Sequence, residues 1–194
     1  MAGSDDRAYP AMRRKDRARD DTWIRQFIAT APFGTTAVLR EGAPYPVTNT
    51  FVYDPDTHAI YFHSAPTGTL VTAVRDTPGS RCAFTAASMG RLLPAEIAAE
   101  FSVEFASVVA FGRIRVVDDL TERRHAMAQL NHKYFPHLVE GEDYLPVTDN
   151  DLSRIAVYRL DIDYWTGKKK EAEPDFPGAF TFGSPPDRPT GSSA

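Results

Sequence analysis

The stretch YPVTNTFVYDPDTHAIYFHSA, residues 45–65, alternates, turns and alternates again. Successive side chains of a strand point to opposite faces, so Val47, Asn49, Phe51 and Tyr53 share one face and Thr48, Thr50 and Val52 the other. Asp54-Pro55-Asp56 is a turn sequence, because Pro presets its backbone angle and Asp side chains bond nearby amides. AIYFHSA (59–65) therefore pairs back antiparallel to the strand before it. Within it Tyr61, His63 and Ala65 share one face, and Phe62 and Ser64 the other. The residues alone do not say which face lines a pocket.

On the N-terminal side, TTAVLR (35–40) is a short strand closed by a Glu41-Gly42 turn. Before it Ile24, Phe27 and Ile28 fall at helical spacing, with Asp21 or Thr22 as the N-cap and Pro32 and Gly34 as the stop. On the C-terminal side, Thr67 to Arg75 forms a brief helix burying Leu70, Val71 and Val74, and Pro78-Gly79 ends it. RCAFTA (81–86) is the next strand, and residues 87–100 form an insertion without clear period. FSVEFASVVAFGRIRVV (101–117) is the longest β pattern, long enough to bend or bulge near Ser107 or Gly112. Asp118 or Asp119 then caps a helix carrying Leu120, Met127, Leu130 and Tyr134, which Pro136 ends. RIAVYRLDIDYW (154–165) is the last strand. Tight turns dominate and parallel crossovers are few. The expectation is an antiparallel barrel flanked by helices, in the α+β class and mainly β. A flexible polar arm (1–20) precedes one domain (21–170), and a Pro-rich tail (171–194) follows it, extended or wrapped over a partner.

A chain of 194 residues, 42% of them hydrophobic, suits one soluble domain with tails. Its formal charge of -4, and the mixed signs of RRKDRARDD (13–21), argue against nucleic acid or a membrane surface as partner. The single cysteine, Cys82, reads as a small buried strand residue and permits no internal disulfide. With no apolar run near ~20 residues and no secretory h-region, the expected location is the cytoplasm. Neither G-x-G-x-x-G nor G-x-x-x-x-G-K-[ST] is present, and there is no G-x-S-x-G elbow. Cysteine-based zinc spacing is impossible with one Cys. His125 and His132, two turns apart on their helix, and His137 read as surface histidines rather than a metal centre.

The chemistry that is left lies in YFHSAPTGTL (61–70). A strand passing through Thr67-Gly68-Thr69 into a helix presents free backbone amides and hydroxyls at a helix N-terminus, which favours phosphate or carboxylate. The competing reading is an ordinary helix capped by Thr67. His63 is a pocket residue or a core histidine bonded to backbone.

The order TTAVLR, YPVTNTFVYD, AIYFHSAPTGTLVTAVRDTPG, SVVAFGRIRVV, YWTGKK resembles the pyridoxamine 5′-phosphate oxidase-like FMN-binding split barrels. Within them it is most similar to the Nim-type 5-nitroimidazole reductase branch, over roughly Trp23 to Lys169. The resemblance implies a six-stranded antiparallel split barrel, a homodimer, and FMN sites at the dimer interface. The flavin ring would lie along Val47, Thr48, Asn49 and Thr50, and its phosphate near His63, Ser64, Gly68 and Thr69. Ser107, Val108, Trp165 and Lys168 would complete the site, partly from the other subunit. His63 matches the histidine associated with the active site in Nim-type relatives.

One departure matters. Family members usually carry Arg or Lys directly after the glycine, whereas this chain has Gly68-Thr69. Loss of that charge-assisted partner weakens phosphate binding by ~1.5–3 kcal/mol, about ten- to a hundredfold. Arg75, Arg91 or Lys168 are the candidate substitutes; otherwise the cofactor is not FMN. The implied function is a flavin-dependent oxidoreductase reducing a nitroaromatic, a quinone or a similar flat small molecule. An alternative is a haem-binding redox protein on the same barrel, with His63 as iron ligand and His125, His132 or Tyr134 as further contributors. A second alternative is a non-enzymatic barrel that binds a cofactor or small ligand.

Overall fold

The computed structural model describes Tyr9 and residues 12–186. In chain order the elements are β1 (Ala18–Arg19), α1 (Asp21–Thr30), β2 (Gly34–Arg40), β3 (Ala43–Asn49), β4 (Val52–Asp54), β5 (Ala59–Ser64), α2 (Thr69–Asp76), β6 (Ser80–Leu93), β7 (Ser102–Val116), α3 (Leu120–Tyr134), α4 (Asp149–Ser153), β8 (Ala156–Lys170) and β9 (Phe180–Thr181). All paired strands run antiparallel, in the order β3-β2-β6-β7-β8-β5-β4, with β1 beside β8 and β9 beside β6.

The sheet differs from the expected six-stranded barrel in two ways. It has nine strands, two of them only two residues long, and its path is not closed by hydrogen bonds. β3 and β4, neighbours in the chain, lie at its opposite ends. A continuous strand over 45–54 was the expectation; instead the chain leaves the sheet at Thr50 and Phe51. The Tyr134 hydroxyl takes over there, accepting from Phe51 N at 3.0 Å and lying 3.1 Å from Phe51 O and 2.8 Å from Pro32 O. Backbone groups cut off from a ladder must find such partners, and this one lets β3 pair with β2 while β4 pairs with β5.

Residues 87–93 are not an aperiodic insertion but the outer half of β6, in register with β7 until a shift between Met89 and Leu92. Residues 87–90 are all exposed, so no burial alternation marks them as strand. A register shift does fall at Gly112, between β7 and β8, but the extra residue is Asp163 of β8; β7 itself pairs with β6 without a break there. A Cβ there would stand 1.9 Å from Asp161 O, so only glycine fits.

The N-cap of helix α1 is Asp20, one residue before the first of the two expected caps, and its Oδ1 accepts from Trp23 N at 2.8 Å. Asp119 caps α3 in the same way through Glu122 N. Ile24 and Ile28 of α1 pack on the inner sheet face with Val38, Phe84, Val108 and Trp165. The helix comes close because Gly167 has no side chain; a Cβ there would meet Ile24 at 2.6 Å. α3 covers a second cluster, Val52, Tyr61, Ala126, Leu130 and Val157. Each fully buried large aliphatic side chain in these clusters contributes about 1.5–3 kcal/mol. Tyr61 OH donates to Glu122 Oε1 at 2.9 Å, and Arg115 and Arg159 bind the same carboxylate, tying β5, β7 and β8 to α3.

Of the arm, residues 1–8, 10 and 11 lie outside the described residues, while β1 pairs with β8. Of the tail, 187–194 lie outside them. Arg91 donates to the carbonyls of Ala172, Glu173 and Pro174, and β9 pairs with β6, so the described tail lies along its own chain. No helix among the described residues is long and apolar enough to cross a membrane.

Candidate functional site

The two open ends of the sheet meet through one side chain. Asn49, the last residue of β3, donates from Nδ2 to His63 O on β5 at 3.4 Å. A carbonyl accepts only, so this contact fixes which end of the amide faces His63. The other end, Asn49 Oδ1, is buried and has no hydrogen-bond partner among the described residues; nor has His63 Nδ1. The two residues joined by this contact therefore each carry an unsatisfied buried polar atom.

Burial alone pushes the His63 pKa below its ordinary value, so its imidazole is neutral at pH 7 and offers one N–H and one lone pair. Neighbouring residues hold it in place from the opposite strand face. Phe62 stacks on Tyr158 with ring centres 4.8 Å apart, and Ser64 Oγ lies 3.0 Å from the Tyr158 hydroxyl. Tyr158 has no recognisable signal in the sequence, because its hydroxyl partner Ser64 is 94 residues away.

After Ser64 the chain turns through an exposed Ala65–Gly68 segment into α2. Thr67 does not cap that helix. The N-cap is Gly68, at φ 118° in the region that favours glycine, and it makes no side-chain capping bond. The amides opening α2 are thus left without a side-chain acceptor at the N-cap, and Thr69 is the first helical residue.

The remaining candidates fall into two groups. Thr48 Oγ1 bonds Thr35 Oγ1 at 2.8 Å on the outer sheet face. The register continues that row through Thr35, Thr85 and Val109 to Thr166. Ser107, opposite Lys168, lies two residues along from Val109 and so on the same face. Three strand steps of about 4.8 Å separate Thr48 from β7, about 14 Å in all. Val47 and Thr50 are half-buried, Val47 against the core.

Val108 and Trp165, by contrast, are core residues. Val108 is fully buried, and its carbonyl accepts from Thr85 Oγ1. Trp165 donates to Asp21 Oδ1 at 2.9 Å and packs its ring against Tyr53 and His58. Within one chain the structure brings Asn49, Thr50, His63 and Ser64 to the gap between sheet ends, with Gly68 and Thr69 just beyond. Ser107 and Lys168 stand elsewhere on the outer face.

The three cations named as substitutes differ. Arg91 is committed to Glu104 and to the tail carbonyls. Arg75, in the last turn of α2, pairs with Asp118 at 3.2 Å, away from the amide-bearing end. Among the described residues Lys168 has no ion pair.

No curated protein matches the chain in sequence. Among solved structures its fold is similar to that of the flavocytochrome Anf3 from Azotobacter vinelandii, with TM-score 0.71, 21% identity and coverage of 95% of this chain and 89% of that one. It is also similar to the FAD and heme binding protein from Mycobacterium smegmatis, with TM-score 0.71, 20% identity and coverage of 90% and 89%. A candidate 5-nitroimidazole antibiotic resistance protein from Bacteroides thetaiotaomicron follows, with TM-score 0.61, 21% identity and coverage of 79% and 90%. At such identities the likeness shows the fold. The sequence profile of the pyridoxamine 5′-phosphate oxidase family matches residues 20–169, the whole sheet apart from its last residue Lys170 and the short β1 and β9, and the chain belongs to that family.

Proposed function

We propose that the protein is a flavin-dependent oxidoreductase, acting as a homodimer and reducing a nitroaromatic, a quinone or a similar flat acceptor. The observation that carries this reading is the pair of unsatisfied buried atoms, Asn49 Oδ1 and His63 Nδ1, at the gap between the sheet ends. Leaving a buried polar group without a partner costs about 1–3 kcal/mol, a cost that a ligand completing it removes. Asn49 Oδ1 is an acceptor suited to the imide N–H of a flavin ring, and the neutral His63 ring suits a second polar atom of the same edge. The uncapped start of α2 at Gly68 and Thr69 suits the phosphate. Ser107 and Lys168 would come from the second copy, with Lys168 supplying the charge that Thr69 does not. When bound, the flavin takes up and returns the electrons; the chain orients it and excludes water from one face. The fold neighbours that bind FAD, and the one named for nitroimidazole resistance, support the same class.

A second reading has its own observation. A neutral histidine with an unpartnered ring nitrogen is the form that ligates iron. Two fold neighbours are a flavocytochrome and a haem-binding protein. In this reading His63 is the axial ligand of a haem.

Titration of purified protein with FMN, FAD and haemin separates these. The expected result is flavin binding, weakened about ten- to a hundredfold in Asn49→Ala and His63→Ala. A Soret band lost in His63→Ala would select haem instead. Parent-like flavin affinity in both variants would overturn the proposed site.

A further inference from the structure

A cavity of about 680 Å³ opens between α1, β4 and α3, and neither Asn49 nor His63 is among its walls. Ala29, Val52, Tyr53, Pro55 and Ala128 give it an apolar lining, with Gln129, His132 and Lys133 adding the polar groups. Lys133 is out of keeping with such a wall. Its Nζ donates at 3.3 Å to Ile28 O and stands 3.7 Å from the centre of the Phe51 ring. Among the described residues it forms no ion pair. Burial with no compensating charge holds its pKa down to about 8. A desolvated ammonium facing one carbonyl and two rings, those of Phe51 and Tyr134, is short of a counter-charge.

We propose that this cavity is a second small-molecule site that takes an aromatic monocarboxylate, its carboxylate paired with Lys133 and its ring against Val52, Tyr53 and Ala128. The acid group supplies the missing counter-charge in a charge-assisted bond. The volume is in the range of about 300–1,000 Å³ typical of small-molecule sites, and the mixed lining of apolar walls with one placed charge is their usual character. The inference stands independently of the flavin reading, because the two sites share no residue.

Calorimetric titration of the full-length protein with benzoate, and with the neutral benzyl alcohol, tests it. Benzoate is expected to bind once per chain, at least about tenfold more tightly than benzyl alcohol. Lys133→Met should remove that preference, and Ala128→Leu, which fills the cavity but keeps the lysine, should block both ligands. His63→Ala should leave benzoate binding unchanged. No benzoate binding to the folded parent, equal affinity for the two ligands, or parent-like binding in Lys133→Met would overturn the proposal. So would loss of binding in His63→Ala, which would place benzoate at the sheet gap.

Discussion

His63 is a neutral ring whose charging is opposed by burial, and that has a consequence for stability. The unfolded chain binds a proton near the ordinary imidazole value of 6.5, while the folded chain resists until a lower pH. Between those two values the unfolded state holds more protons, so stability falls as the pH drops below 6.5. His63→Ala should flatten this dependence, measured as the urea midpoint against pH. Lys133 gives a complementary test. With a pKa of about 8 it is substantially deprotonated at pH 8, where a lysine at the ordinary 10.5 is almost wholly charged. An amine-directed acylating reagent at that pH should modify Lys133 ahead of ordinary lysines, read by peptide mass mapping. The position of His63 before the Gly68 turn was legible in YFHSAPTGTL. Its contact with Asn49 was not, because it crosses between sheet ends and leaves no local pattern. The resemblance named Val108 and Trp165 as site residues, and the packing of α1 on the sheet shows that they face the core.

The long β6–β7 hairpin is the element on which the rest is hung, and glycine and one ion pair keep its shape. Gly112→Ala would drive a methyl group into the Asp161 carbonyl and should cost at least about 3 kcal/mol, seen as a lowered urea midpoint. Near the other end Arg91 holds the Glu104 pKa down to about 2, and Glu104 Oε1 also accepts the Ala172 amide at 3.0 Å. That attachment is fully present above the ordinary carboxyl value of 4.5 and lost as the pH falls through about 2. Protection of the Ala172 amide from exchange should follow that window, and in Arg91→Ala the loss should move up towards 4.5. An irregularity near Gly112 was legible, because a 15-residue strand around a glycine seldom runs straight, but not that its partner β8 carries the extra residue, Asp163. The outer half of β6 was not: with residues 87–90 exposed it lacks the burial contrast that makes a strand visible in sequence. Helix α4 left a signal in the Thr148–Asp151 capping box, but it is only five residues long.

At the scale of the whole molecule, tight turns and alternation were enough for an antiparallel, mainly β fold. They were not enough for its open path, since β3 and β4 are separated by two residues in sequence and by the full width of the sheet. The proposed function needs a second copy, because His63 and Lys168 stand apart within one chain. A symmetric dimer then carries two mixed sites. Lys168→Ala, like His63→Ala, should weaken flavin binding in both sites. Mixed and re-associated, the two variants should recover about a quarter of the tight sites, since half the dimers are mixed and each has one intact site. No recovery on mixing would assign both residues to other roles. The most direct measurement uses the small number of histidines, five in the chain. In protein labelled with nitrogen-15 at histidine, the His63 Nδ1 resonance should shift on addition of one equivalent of flavin per chain, as its missing partner arrives. Flavin binding that leaves that resonance where it was would contradict the account.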